Sequence, residues 1–520
     1  MNKKKAAFLC GIEYIVLLLC LTMIFLFIVP QNDMFIFRKD TSPEWRLLID
    51  FSLYYGNGRF LGNLLGVFFS HYFEFAWIVC TVCMFITIVC TNKLFFRNSA
   101  YTIFPSALVV VFASSGMFSE CYTLFASFTN YFIPITVSLL SLCIYNRSKN
   151  AQKGFIGKIF LNILLFGLAA SACLYSENTT IVLIALTVLL NLATVLKSKK
   201  VTLEGIVLLA GTAVGAATMF LIPVLTKTQG NLAFYRSVAT SVSSIISNVP
   251  RSFVRFATVF NSFTLVLFCL SLILVVYTLK QEANSKVKSA CIYFFLAYPF
   301  VSVLFKLFGY QSQLCGIMNV VEAVLAICYF SFWLLFVFFV MPKEKRWEAI
   351  GWTVLLLSSI APMMLVNQYG HRTYLTTYFI MIGLISYLLK EQYFSGIAAR
   401  FLNKKAFVVT SVMVFAFCCV FTSIQLLGNY NFDQERNEYV SEKVSEGCEE
   451  ANVPVIPFVS VSIEDEWPNI VEQIALDQDI KVIVTDINSC ENVKEYNEVI
   501  YGSFISNFKK AFTHKIQSMT

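Results

Sequence analysis

Runs of about 20 apolar residues recur along most of the chain, each long enough to cross a hydrocarbon core of about 30 Å as a helix. The first is AAFLCGIEYIVLLLCLTMIFLFIV, residues 6–29, behind Lys3, Lys4 and Lys5. Lipid offers no partner to an unpaired backbone group, so only helices and closed barrels are open to such a sequence. Barrel strands alternate in polarity over about 10 residues, and these runs are longer and evenly apolar. Helices follow. With 58% hydrophobic and only 13% charged residues, the chain also lacks the charge that a water-facing surface needs.

Thirteen spans are predicted, near residues 6–29, 73–92, 101–118, 130–145, 158–175, 179–196, 202–222, 261–279, 289–307, 319–341, 349–366, 372–389 and 406–427. The length of the first run and its lack of a small-residue cleavage site favour an uncleaved anchor over a signal peptide. Orientation comes from the loops. With a cytoplasmic N-terminus, inward loops hold 22 Lys and Arg, while outward segments before residue 428 hold nine, with Lys306 near an outer helix end. This asymmetry predicts a multi-pass protein of the cytoplasmic membrane. An odd number of spans puts the C-terminus outside.

Residues 428–520 differ in kind. They carry 17 acidic and 7 basic residues, so the tail is negative where the remainder is positive. VPVIPFVSV (453–461) and IKVIVTDI (480–487) read as strands, and WPNIVEQIALDQ (467–478) between them as a helix with Pro468 in its first turn. A small extracytoplasmic α/β domain is expected, preceded by a helix over NEYVSEKVSEGCEEA and carrying no catalytic constellation. The membrane domain is assigned to 1–427. Its two long outer segments, 30–72 and 223–260, mix aromatic, basic and small residues as interfacial amphipathic helices do.

Sixteen cysteines do not imply a disulfide framework, because most lie in apolar runs where a thiol packs as a small hydrophobe. Cys80 and Cys83 form such a packing pair. Only Cys448 and Cys490 lie in a polar region where a bridge is plausible.

Ionisable residues in or beside spans are costly and are functional candidates by default. Here they gather at one depth, the outer interface. Asp33 and Asp40 follow the first span, Arg59 opens a membrane segment in YYGNGRFLGNLLGVFF, and Glu120 and Glu177 lie in outer turns. Lys306 and Glu322 stand near outer helix ends, with His371 and Arg372 in NQYGHRTY. Plainer readings stand beside these: Arg59 and Arg372 as interface anchors, Glu177 as a helix cap, Lys306 and Glu322 as each other's partners, His371 as a headgroup-level residue. The absence of H-x-x-H or a dense carboxylate set argues against a tightly bound metal; no cofactor and no nucleic-acid partner are expected, and a divalent metal stays open.

Carboxylates and cations at this depth suit one task, in which a base takes a proton from a hydroxyl acceptor while cations hold a phosphate leaving a lipid carrier. Arg59 fits the second role. A guanidinium matches phosphate oxygens bidentately, and Gly56, Gly58 and Gly62 allow close approach.

The order of features resembles the GT-C superfamily of membrane glycosyltransferases, most nearly bacterial relatives of O-antigen glucosyltransferases. The matching residues are Asp33 in NDMFIF, Gly58 and Arg59 in NGRFLGN, Thr129, Asn130, Tyr131 and Pro134 in FTNYFIP, Glu177, Asn178 and Thr179 in SENTT, and Arg372 in GHRTY. The likeness covers residues 30 to about 375, and the tail domain also fits. It implies a polyprenyl-phosphate sugar donor, an extracytoplasmic site, and an acid of the first outer loop as base. Asp33 would be that base, with Asp40 its substitute, and Arg59 and Arg372 would contact phosphate. The sequence departs from the pattern twice: Asn32 precedes Asp33 where relatives pair two acids, and Ser176 replaces a histidine.

The reading that follows is transfer of a sugar, with inversion, from a polyprenyl phosphate to an envelope glycan or lipid-linked acceptor. Asp33, Asp40 and Glu177 are the catalytic candidates. Arg59, Asn130, Tyr131, Asn178, Lys306, Glu322, His371 and Arg372 are the substrate contacts. A transporter or flippase of lipid-linked saccharides is the alternative, although internal repeats and midplane polar groups, the usual marks of one, are not evident. A non-catalytic envelope scaffold is a third reading.

Overall fold

The computed structural model describes residues 3–29, 44–46, 48–49, 58–96, 102–149, 155–225, 242–281, 285–309, 315–365, 371–390, 405–454, 457–458, 481–485 and 510–511. These form an all-α polytopic membrane fold. Its helices are α1 (Lys3–Phe25), α2 (Phe60–His71), α3 (Ala76–Phe95), α4 (Ile103–Val111), α5 (Ile133–Lys149), α6 (Phe155–Ala172), α7 (Glu177–Ser198), α8 (Leu203–Leu225), α9 (Val242–Ser262), α10 (Thr264–Lys280), α11 (Ser285–Gly309), α12 (Cys315–Leu335), α13 (Lys343–Ile360), α14 (Leu375–Lys390) and α15 (Lys405–Ser445).

Among the described residues, nine helical segments are long and apolar enough to cross a membrane, and the bent pair α9–α10 makes a tenth if it is one span. The first expected span, 6–29, corresponds to the 23-residue α1, whose described side chains cover Gly11–Phe25. Two of the thirteen expected spans take a different form. The run 101–118 gives only the nine residues of α4, because the chain leaves helical geometry at Phe112 and then turns through a π-helix at Phe118–Thr123. The run 349–366 takes in the later turns of α13 and the 3-10 turn Ala361–Leu365, and the first turns of α13 carry Lys343, Glu344, Lys345, Arg346 and Glu348. Those charges belong in water, so only the later turns of α13 can be embedded.

The outer loop 223–260 contains the predicted amphipathic helix. α9 runs to Ser262, and the axis turns by 78° at Phe263 before α10 begins. If α10 crosses the bilayer, α9 lies close to its plane. Ser252, Phe256, Ala257, Val259 and Phe260 are buried, and Arg251 and Arg255 are exposed on one flank.

Polar contacts sort the helix ends into two sets. Lys197 meets Glu348 at 2.7 Å, Lys158 meets Glu204 at 3.1 Å, and Lys390 donates to the carbonyl of Leu94 at 2.7 Å. All six residues lie in, or at the helix ends beside, the loops assigned inward by charge. The opposite ends of the same helices hold the turns described below.

α15 has 41 residues, about 60 Å at 1.5 Å per residue and so about twice a hydrocarbon core. Its first half exposes Val409, Met413, Phe417, Val420 and Phe421, while Asn429, Asp433 and Arg436 in its second half are buried. Arg436 pairs with Asp433 at 2.6 Å and donates to Pro454 O at 3.3 Å, and the Asn429 amide bonds both N and O of Phe458 at 3.0 Å. The boundary expected at 427/428 therefore falls inside a continuous helix that carries the tail.

Two parallel strands follow, β1 (Glu450–Pro454) and β2 (Lys481–Thr485), in register from Glu450↔Lys481 to Pro454↔Thr485. β2 matches the expected strand. β1 overlaps the expected 453–461 only at its start and begins earlier, at Glu450, with Ala451 and Val453 facing inward against Tyr439 and Val440; residues 455–456 and 459–461 lie outside the described residues. The helix expected at 467–478 and Cys490 lie outside the described residues. Cys80 is buried and Cys83 half-buried among apolar neighbours, consistent with packing.

Candidate functional site

Four chain segments far apart in sequence meet at the end of the bundle away from the basic loops: residues 58–62, 116–131, 173–180 and 371–376. Gly58 starts the first. Its φ of +74° is a left-handed conformation, and a Cβ there would lie 2.1 Å from Met219 O, so a side chain fails on both counts. That turn aims Arg59 inward. Arg59 is 7% exposed, which excludes the interface-anchor reading.

The guanidinium is held on two sides. Its Nε donates to Glu177 Oε1 at 3.1 Å and Oε2 at 3.0 Å, and its Nη2 to Oε2 at 2.6 Å. Its Nη1 donates to Tyr131 Oη at 3.2 Å, with Cζ 5.4 Å from the Tyr131 ring centroid. Charge-assisted forks of this kind are the stronger class of hydrogen bond. Glu177 opens α7, where the helix dipole favours an acid, and its side chain stays 31% exposed. It therefore does more than cap a helix: its carboxylate neutralises a buried arginine 118 residues earlier in sequence.

Asn130 and Tyr131 lie on a π-helix, Phe128–Phe132. Asn130 Nδ2 donates to Ala126 O at 2.8 Å, and Asn130 Oδ1 is buried without a hydrogen-bond partner among the described residues. That oxygen presses on α2: a Cβ on Gly62 would lie 2.2 Å from it. Leu61 N donates to Leu174 O at 3.0 Å, which ties α2 to the turn before α7. In that turn Ser176 Oγ donates to Thr179 Oγ1 at 3.0 Å, and Thr180 Oγ1 donates to Ser176 O at 2.8 Å. Asn178 Nδ2 then donates to Thr373 O at 3.3 Å, and Thr179 shares a hydrogen bond with Thr376 at 3.2 Å.

The fourth segment is bound through Glu120, on the Phe118–Thr123 π-helix. Glu120 Oε1 stands 2.7 Å from His371 Nδ1, and Oε2 accepts from Arg372 N at 3.2 Å. Arg372 Nη1 donates to Ser127 Oγ at 3.0 Å. Burial pushes the Glu120 carboxyl up, but the bond to His371 and the charge and backbone N–H of Arg372 outweigh it and hold the group below the usual 4.5.

Arg59, Asn130, Tyr131, Glu177, Asn178, His371 and Arg372 thus fall in one connected layer. Asp33 and Asp40 lie outside the described residues. Lys306 falls within α11, its side chain outside the described residues. Glu322 sits elsewhere: its carbonyl accepts from Asn261 at 2.9 Å, and Asn261 in turn accepts from Tyr298. Glu120 and Ser127 are the residues the sequence underrated. Glu120 shared the common depth, but only the fold shows that it joins two of the segments. Among the described residues, no group of three or more His, Cys, Asp or Glu could hold a metal ion.

No known protein-family model matches this chain, and no curated protein is significantly similar to it. The functional reading rests on the residues themselves.

Proposed function

We propose that the protein is a GT-C-like membrane glycosyltransferase acting at the extracytoplasmic face of the cytoplasmic membrane, with its N-terminus cytoplasmic and its acidic α/β tail outside. It moves a sugar from a polyprenyl-phosphate donor to an envelope glycan or lipid-linked acceptor. One observation carries this reading: Arg59 with Glu177, and Arg372 with Glu120, are brought from four segments into a single layer at the helix ends away from the basic loops. Two arginines drawn from distant segments to one membrane depth, each held by protein partners, support a site that receives a departing phosphate group.

In this reaction the acceptor oxygen attacks the anomeric carbon from the face opposite the phosphate. The C–O bond to phosphate breaks, its electron pair leaves with the polyprenyl phosphate, and the anomeric configuration inverts. Arg372 neutralises the departing charge, its guanidinium held by Ser127 before the donor arrives, while Arg59, paired with Glu177, adds donors at the same depth. By the family resemblance the proton acceptor is an acid of the first outer loop, Asp33 or Asp40.

The test is to incubate purified protein with a panel of polyprenyl-phosphate sugars and acceptors and to follow sugar transfer or release. Transfer by wild type, lost in Arg372→Gln with folding intact, supports the assignment. A folded protein inert toward the whole panel, yet able to move lipid-linked saccharides across vesicle membranes, overturns it in favour of transport.

A further inference from the structure

We propose that the arginine flank of α9 binds the phosphates of anionic phospholipids in the outer leaflet, seating this helix in the headgroup layer beside the candidate site. α9 carries two cations, Arg251 and Arg255, and no acidic residue. Both arginines are exposed, and Arg251 has no hydrogen-bond or ion-pair partner among the described residues. Spaced by four residues, they stand about 6 Å apart along the helix axis and about 40° apart around it. Two guanidinium forks therefore share one strip, and each fork matches phosphate oxygens.

The depth of the strip follows from the 78° turn between α9 and α10. α10 ends at Lys280, in a basic loop, so its first residue, Thr264, and α9 before it lie at the opposite, outer end. A helix near the membrane plane at that level meets headgroup phosphates along its length. The other flank suits acyl chains: Ile246, about 140° around the axis from Arg251, is 65% exposed.

Packing fixes which way the arginines point. Phe260 meets Phe330 at 5.2 Å, Phe256 meets Tyr374 at 5.8 Å, and Ser252 Oγ donates to Met363 O at 3.0 Å. Each step from Phe260 to Phe256 to Ser252 turns the buried face about 40° toward the arginine flank. The arginines thus stand on the Met363 side of α9, and Met363 Sδ is 3.8 Å from Asn178 Nδ2. A phospholipid held there borders the layer that contains Asn178, Glu177 and Arg59. Exposed guanidiniums on a helix flank select charge more than headgroup shape, which suits an abundant lipid phosphate over a single rare ligand.

The test uses the full chain in phosphatidylcholine vesicles that carry a trace of photoactivatable phosphatidylglycerol or, separately, of phosphatidylcholine with the same photoactivatable acyl chain. Adducts on residues 242–262 are counted by mass spectrometry. Wild type should give more adducts there from phosphatidylglycerol than from phosphatidylcholine. That preference should fall about fivefold in Arg251→Gln and again in Arg251→Gln/Arg255→Gln, while Arg251→Lys, which keeps the charge, should retain most of it. Salt at about 1 M, where the Debye length is about 3 Å, should erase it. Adducts on the basic inward loops, counted in the same digests, should be the same in every variant and so report that the variants are folded. Equal labelling of α9 by the two lipids in wild type, or a preference that survives the double replacement, overturns the proposal. Displacement of the label by a trace of polyprenyl phosphate but not by excess phosphatidylglycerol also overturns it, and makes the strip a site for the substrate lipid.

Discussion

At the scale of single residues, the Arg59–Glu177 pair is unequal, because Arg59 is buried while Glu177 is 31% exposed. Removing a partner from a buried charge is the costly direction. Glu177→Ala strands the guanidinium and should cost about 3–5 kcal/mol. Arg59→Met leaves a carboxylate that water reaches, and should cost less. Thermal melting of the two purified variants should place Glu177→Ala lower; the reverse order would make Glu177 the dependent member. Gly62→Ala would set a methyl 2.2 Å from Asn130 Oδ1, an overpacking worth about 1–3 kcal/mol. Asn130→Ala in the same chain should recover much of that loss. The Glu120 carboxyl, held below the usual 4.5 by His371 and Arg372, stabilises the fold above that pH and ceases to as pH falls through its lower folded value. Acid melting curves of Glu120→Gln should be flatter than wild type across that window.

At the scale of elements, two helices do work that their composition only partly announced. α9 turns by 78° from α10 and carries its cations and its exposed apolar residues on different flanks. At 100° per residue, Arg251 and Arg255 lie on roughly the opposite side from Ile246. A nitroxide at position 246 should be relaxed more by oxygen, which partitions into lipid, than by a polar nickel chelate, and one at position 251 the reverse. Equal accessibility at both positions would show that α9 does not lie at the interface. α15 leaves the bilayer as an unbroken rod and then buries Asn429, Asp433 and Arg436 against the chain that follows. A helix that continues through the boundary holds the tail at a set distance from the membrane, which a flexible linker does not.

At the scale of the whole molecule, opposite chemistry occupies opposite ends. Lys197, Lys158 and Lys390 make contacts among the basic loops, while Arg59, Glu120, Glu177, His371 and Arg372 gather at the other end. In a cysteine-free background, a thiol at Lys199 should react with a membrane-impermeant reagent only after cells are permeabilised, and one at Glu446 without it. The opposite pattern would invert the topology and place the candidate site inside the cell.

The sequence by itself determined the solvent: apolar runs of membrane-spanning length, basic loops in alternation and an acidic tail are properties of composition along the chain. It also put Arg59, Glu177, His371 and Arg372 at one depth, because depth follows from position relative to a span, and the structure gathers these four. What it could not determine was which residues touch. Glu177 reaches Arg59 and Glu120 reaches His371 across separations of 118 and 251 residues, and no local period encodes such pairings. The π-turns at Phe118–Thr123 and Phe128–Phe132, which present Glu120 and Tyr131, read in the sequence only as an outer loop and the start of the next span. Only tertiary packing decided that an arginine beside glycines is a buried, paired cation, because burying that charge is tolerable solely where a distant carboxylate is delivered to meet it.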